Sequence, residues 1–282
     1  MSHSRAPLLA AGEVALAQVL VNTGAAFAKQ LFSSVGAPGM TALRVGLGAL
    51  ILLALWRPWR IRRTWSERMN LALYGLCMGG MNLLIYFAFA RIPIGLAVAI
   101  EVTGPLVVSL CASRRLPDFA WLACVLAGLA ILLPIRQHAD ALDPLGVAWA
   151  FGAAVCWAAY IVFGKRVAHI PSGEAVACGM LTAALFTVPL GIASAGSQLL
   201  APATLASGLL VAVLSSAAPF SLEMRALRHL PHRVFGIVVS ASPAIAALAG
   251  AVLLGERLTT LQMLAIAMIV AASAGAAMTA RR

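Results

Sequence analysis

Charge is what this sequence has least of. Only 10% of its 282 residues are charged and 62% are hydrophobic, with a mean hydropathy of +0.97, whereas a typical soluble domain carries about a quarter charged residues. A water-soluble fold is excluded, and an all-α integral membrane protein is expected. Acids are scarcer than bases, nine against twenty. The resulting net charge of +11 is no argument for nucleic acid, because the basic residues sit in short loops between apolar spans rather than on one polar face. Histidine is missing from the membrane segments. His3, His138, His169, His229 and His232 all fall in loops or at span ends, so no metal site is expected. The five cysteines have no paired spacing, which excludes a disulfide framework and leaves them as small buried hydrophobes. There is no glycine-rich phosphate loop, no soluble domain to hydrolyse ATP and no catalytic cluster. An ATP-driven pump built from this chain alone and an enzyme are both excluded, and no cofactor is expected. No cleavable signal peptide is expected, since Glu13 interrupts the first apolar stretch and only Arg5 precedes it as a basic residue.

What is present is a series of apolar stretches. Crossing about 30 Å of hydrocarbon takes about 20 helical residues. Breaks at charged and Pro/Gly positions predict ten transmembrane helices, at 10–32, 38–56, 69–90, 94–113, 117–135, 144–164, 174–195, 204–226, 233–254 and 259–279. If the N-terminus is cytoplasmic, 15 of the 20 Lys and Arg residues fall on that side and four (Lys29, Arg91, Arg136, Arg257) on the other, with Arg44 inside a span. That asymmetry predicts two cytoplasmic termini.

The chain also repeats itself. Pro93 and Pro231, and Pro105 and Pro243, are each 138 positions apart, and Gly36-Ala37-Pro38 matches the Pro171-Ser172-Gly173-Glu174 segment at an offset of 136. Two five-helix halves are predicted, 1–138 and 139–282. Five is odd, so the second half enters the membrane inverted, an architecture that places substrate near the midplane between halves.

One stretch stands apart, Ala99-Ile100-Glu101-Val102-Thr103-Gly104-Pro105. Pro105 has no N–H for the Glu101 carbonyl, so an acid and a freed backbone oxygen share one kinked level. Six other acids fall in loops or at helix ends, and Glu13 and Glu223 lie near the cytoplasmic surface. Glu101, seven residues in from Ile94, sits roughly 10 Å deep. Arg44 and Asn82 come to about the same level on two other helices. Glu101 can meet a cationic group or carry a proton, and Arg44 can meet a carboxylate; alternatively the two neutralise each other between helices.

Further candidates line the same region. Tyr86 is one turn outward of Asn82 on the same face. Asn22, mid-span in the first helix, either lines a cavity or bonds a neighbouring helix. Trp157 and Tyr160 either wall a pocket or pack. Lys29 is expected to snorkel to the surface. In the second half, Ser215, Ser216, Pro219 and Ser221 interrupt the eighth helix, and Ser240, Ser242 and Pro243 the ninth. Pro219 frees the Ser215 carbonyl as Pro243 frees that of Val239, giving hinges or a wet path. Gly75 and Gly79 form a small-xxx-small pattern for close helix packing.

Several segments together resemble the EamA-type transporters of the drug/metabolite transporter superfamily. These are 35–44 (Val35 to Arg44), Gly79-Gly80-Met81-Asn82, Thr103-Gly104-Pro105-Leu106, Ser113-Arg114-Arg115, Ser221-Leu222-Glu223-Met224 and Leu253-Leu254-Gly255-Glu256. Within that superfamily they are most similar to threonine/homoserine exporters of bacterial inner membranes. The resemblance covers nearly the whole chain. It implies ten helices in two EamA repeats and proton-driven export of small metabolites. The expected partners are a small-molecule substrate and the bilayer, with a monomer sufficient to form the site. Other small metabolites, or cationic or aromatic compounds, are the alternative cargo, with Glu101, Tyr86 and Trp157 binding a flat or cationic ligand.

Overall fold

The computed structural model describes residues 5–60, 63–111, 143–227 and 239–279, together with 120, 121, 123, 124, 126–128 and 131. The expected fifth span, with Arg114, Arg115, Asp118 and Pro134, therefore lies mostly outside the described residues, as do Pro231 and Arg233; nothing is said of the Glu223 side chain.

Among the described residues the chain is helical, without strands. The helices are α1 (Arg5–Gln30), α2 (Phe32–Trp56), α3 (Trp65–Phe89), α4 (Ile94–Glu101), α5 (Thr103–Cys111), α6 (Pro144–Arg166), α7 (Ser172–Ala195), α8 (Pro202–Ala212), α9 (Ala218–Leu227), α10 (Ser242–Leu254) and α11 (Thr260–Thr279). A π turn, Val213–Ala217, joins α8 to α9. Five stretches are long and apolar enough to cross a bilayer: Phe32–Trp56, Trp65–Phe89, Pro144–Arg166, Gly173–Leu200 and Pro202–Leu222. Ile94–Val108, Ser242–Leu254 and Thr260–Ala272 are shorter and equally apolar.

Local chemistry sets the boundaries. Thr64 and Glu67 close a capping box on α3, with the Thr64 N–H donating to Glu67 Oε2 at 2.8 Å and the Glu67 N–H to Thr64 Oγ1 at 3.3 Å. Thr259 and Gln262 do the same ahead of α11. Asp143 caps α6 through the Leu145 N–H, with Pro144 in the first turn and Lys165 and Arg166 in the last. Arg91 and that N–H together hold the Asp143 carboxyl below the usual carboxylate range.

The interruptions fall where proline predicts them. The expected fourth span is two helices, because the run breaks at Val102, three residues before Pro105. The ninth breaks at Ser240 and Ala241, three and two residues before Pro243, which stands in the first turn of α10. The eighth takes up Pro219 as the π turn, with one extra residue accommodated in the turn before it. In α2 the irregularity lies ahead of Pro38, at Gly36 (φ 69°, ψ 172°), a backbone that only glycine adopts without strain.

Packing runs between the two predicted halves more than within them. α2 lies along α7 and α8, and α3 lies along α6 and α7. α1 rests on α9 and α10, and α4 on α10 and α6. Lipid is as apolar as leucine, so close backbone approach and buried polar contacts must hold such helices together. A Cβ on Gly75 would come 2.5 Å from the Gly179 carbonyl oxygen, and one on Gly104 would come 2.1 Å from that of Ala154. Large side chains such as Leu50, Leu76, Val155, Leu185, Leu248 and Val252 point outward, as lipid-facing residues do.

These close approaches yield a prediction. Gly75→Leu forces α3 off the α7 backbone and is expected to destabilise the protein by more than the about 1–3 kcal/mol typical of overpacking. Gly12, with nothing near its Cβ position, should accept alanine with unchanged or slightly higher stability. Thermal unfolding in detergent compares the two variants.

Candidate functional site

Three elements converge in the middle of the bundle. α2 brings Arg44, α3 brings Asn82 and Tyr86, and the π turn brings Ser215 and Ser216; Glu101 stands at the α4–α5 break beside them. Arg44 is 5% exposed, Asn82 2% and Glu101 8%. The common depth read from the sequence thus corresponds to three buried polar residues.

Arg44 is held without an anion. Its Nη2 donates to the Ser215 carbonyl at 2.8 Å and its Nε to Ser216 Oγ at 3.2 Å. Its guanidinium carbon lies 5.2 Å from the centre of the Tyr86 ring. Pro219 has no N–H to offer the Ser215 carbonyl four residues back, and the arginine donates to that carbonyl. Gly48, one turn along α2, lets the π turn come close: a Cβ there would lie 3.1 Å from that of Ser216.

Glu101 faces Arg44 electrostatically but is not tied to it. The two charges are within interaction range, and Cys156 of α6 is also within range of Glu101. Among the described residues no ion pair or hydrogen bond joins the Glu101 side chain to a neighbour. The closed Glu101–Arg44 pair, left open by the sequence, is not what the structure contains. Thr103 Oγ1 donates to the Ile100 carbonyl at 2.6 Å, satisfying the backbone at the break. Asn82 Nδ2 donates to the Met78 carbonyl at 2.8 Å.

The remaining candidates divide. Asn22 Nδ2 donates to the Gln18 carbonyl (2.8 Å) and to Ser242 Oγ (3.1 Å), so it bonds α1 to α10. Ser240 is buried just before α10. Trp157 packs half-buried against the main core cluster. Tyr160 sits elsewhere, in a second cluster, where it stacks on Tyr74 with centroids 4.7 Å apart and accepts that residue's hydroxyl at 2.9 Å. Tyr86 is fully buried between Phe32 and Phe89.

Lys29 corrects a sequence expectation. It does not snorkel to the surface; its Nζ donates to Glu256 Oε1 at 2.6 Å and to the Ile92 carbonyl at 3.1 Å. Glu256 Oε2 accepts the Ile94 N–H at 3.0 Å, capping α4. The carboxylate reaches there because Gly255 turns the chain at φ 65° and Gly250 offers no side chain in its path. Gln30 adds a bond to the Leu253 carbonyl at 2.8 Å. At the opposite end of the bundle, Arg63 pairs with Glu174 and His169 with Glu67.

Lys29→Met is expected to cost roughly 1–3 kcal/mol by leaving Glu256 without its charged partner. Glu256→Ala should cost more, since it also uncaps α4. A Lys29→Met/Glu256→Gln double variant should recover part of the loss. Melting temperatures of the purified variants check the order.

Residues 144–278 match the EamA-like transporter family. Over 267 residues the chain is 48% identical to the threonine/homoserine exporter RhtA of Salmonella typhimurium (strain SL1344) and 47% identical to that of Escherichia coli (strain K12). Each alignment covers 95% of this chain and 90% of the relative. A solved crystal structure that is 21% identical, with a TM-score of 0.63, covers 96% of this chain and 99% of its own, which indicates a shared fold.

Proposed function

The chain belongs to the EamA-like transporter family, and on that premise we propose that it exports small hydroxylated amino acids of the threonine and homoserine kind by proton-coupled alternating access. It is a transporter and not an enzyme, as its relatives' names indicate. The observation that carries the substrate reading is a buried acid and a buried base, Glu101 and Arg44, that lie within interaction range and form no ion pair. Arg44 rests on neutral oxygens and a ring, and Glu101 is unpaired among the described residues. A zwitterion brings a carboxylate to one and an ammonium to the other. Asn82, buried one turn from Tyr86 on α3, is the further member of the proposed site. Pro105, Pro219 and Pro243 provide the breaks about which the helices move. Flat cationic cargo is less favoured, because Arg44 already covers the Tyr86 ring.

The proposed architecture is ten helices in two inverted halves, 1–138 and 139–282, in the bacterial inner membrane with both termini cytoplasmic. The 15-to-4 loop asymmetry supports the orientation. The packing supports the repeat. Exchange α1 with α6, α2 with α7, α3 with α8–α9 and α4 with α10: the α1–α10 contact becomes α6–α4, α2–α8 becomes α7–α3, and α2–α7 and α4–α10 map onto themselves. All of those contacts are present.

Counterflow in proteoliposomes tests the proposal. Threonine and homoserine should exchange, and an imposed pH gradient should drive net movement. Exchange of aromatic or cationic compounds with neither amino acid moving would overturn it.

A further inference from the structure

Among the described residues, two residues in contact with Arg44 carry hydroxyl oxygens that are buried away from solvent with no hydrogen-bond partner, Tyr86 Oη and Ser215 Oγ. The third such atom, Arg63 Nε, belongs to a side chain that is already paired with Glu174. Buried polar groups almost always find partners, so two orphans around one guanidinium call for an explanation. They come from different parts of the bundle. Tyr86 is on α3, with its ring under Arg44, and Ser215 is in the π turn, with its own carbonyl bonded to Arg44. Across from Ser215 stands Gly24 of α1; a Cβ there would come within 2.2 Å of Ser215 Oγ. Ser215 Oγ therefore packs directly against the α1 backbone at Gly24, with no side chain between them.

We infer that Tyr86 Oη and Ser215 Oγ are the specificity-determining groups that recognise the side-chain hydroxyl of the transported amino acid. This rests on the amino-acid reading above. A hydroxyl oxygen both donates and accepts, so its best complement is another hydroxyl. A carboxylate only accepts and belongs to the arginine. Once a substrate carboxylate lies at Arg44, a hydroxyl one carbon beyond the α-carbon (threonine) or two carbons beyond it (homoserine) lies in the same neighbourhood. Two orphans on different elements give each of these substrates a partner. An isosteric apolar side chain at the same place leaves both protein hydroxyls unsatisfied, and sites built to bond a substrate hydroxyl reject such analogues strongly.

The prediction has a sign that a packing role does not share. A hydroxyl that bonds nothing in the protein contributes no stability, so Tyr86→Phe and Ser215→Ala should leave the melting temperature unchanged or raise it. Ser215→Ala also keeps the backbone carbonyl that holds Arg44.

Counterflow of threonine against valine, and of homoserine against norvaline, is measured in proteoliposomes for the full chain and both variants. The unsubstituted protein is expected to prefer each hydroxylated substrate by roughly tenfold or more, the scale of an unsatisfied buried hydroxyl. Each variant should reduce that ratio severalfold, by losing the hydroxylated substrate while valine and norvaline are unaffected. Unchanged ratios in both variants overturn the inference and leave the amino-acid reading standing. So does a lowered melting temperature with threonine and valine transport falling together. Failure of the unsubstituted protein to exchange any of the four overturns the amino-acid reading itself, and this inference with it.

Discussion

Glu101→Gln is expected to lower export to near background while leaving the protein as stable as before. The substitution keeps volume and shape and removes only the charge. Nothing among the described residues is bonded to the Glu101 carboxylate, so no structural contact is lost. What is lost is the anion for the substrate's ammonium, a charge-assisted contact worth about 1.5–3 kcal/mol, which is about one to two orders of magnitude in occupancy. Transport kinetics with labelled threonine check it, alongside melting temperature. The assay also separates two roles. If the carboxylate binds substrate, exchange and gradient-driven export fall together; if it only carries the proton, exchange survives and the response to the pH gradient disappears. Unimpaired behaviour in both assays removes Glu101 from the mechanism.

Arg44→Met should fail in transport and in stability at once. The carboxylate loses its cation, and the Ser215 carbonyl, to which Pro219 offers no N–H, loses the arginine donor at 2.8 Å. An unsatisfied buried carbonyl costs about 1–3 kcal/mol, partly offset by no longer burying a charge without a counter-ion. Arg44→Lys retains charge without the fork that reaches the Ser215 carbonyl and Ser216 Oγ together, so it should recover stability partially and transport poorly. A compensating change follows from the same geometry. Pro219→Ala restores an N–H four residues beyond Ser215, so the Arg44→Met/Pro219→Ala double variant should regain melting temperature without regaining export. Equal losses in the single and double variants would show that the arginine does not stand in for the missing backbone donor.

How much of this was legible in the sequence depends on the distance over which each feature is specified. Helix positions follow from local apolar runs, and the described boundaries fall within a few residues of expectation, apart from α2, whose helical assignment runs back to Phe32 across the Gly36 break. The backbone breaks at Val102, Ser240–Ala241 and the π turn were legible because proline acts on its own chain, four residues back. The burial of Glu101, Arg44 and Asn82 agrees with their places inside apolar spans. Their partners were not legible. Arg44 meets residues 171 and 172 positions away, and Lys29 one 227 positions away; no periodicity specifies such pairings. Tyr86 and Tyr160 look alike as aromatics in apolar helices, and only packing puts one beneath Arg44 and the other against Tyr74. The missing partner of Ser215 Oγ is a property of the assembled bundle alone.

The cap on α4 bears on how the chain is made. Ile94 donates its N–H to a carboxylate 162 positions later, and Lys29 waits for the same residue. During synthesis both groups emerge long before Glu256, which leaves the ribosome only after α10 is complete. Until then α4 begins with an unsatisfied donor and α1 carries an unpaired cation, while most of the surfaces they rest on do not yet exist. The proposed first half is thus expected to insert as separate helices awaiting their partners, and a chain stopped after it should be a substrate for membrane proteases rather than a half-size protein.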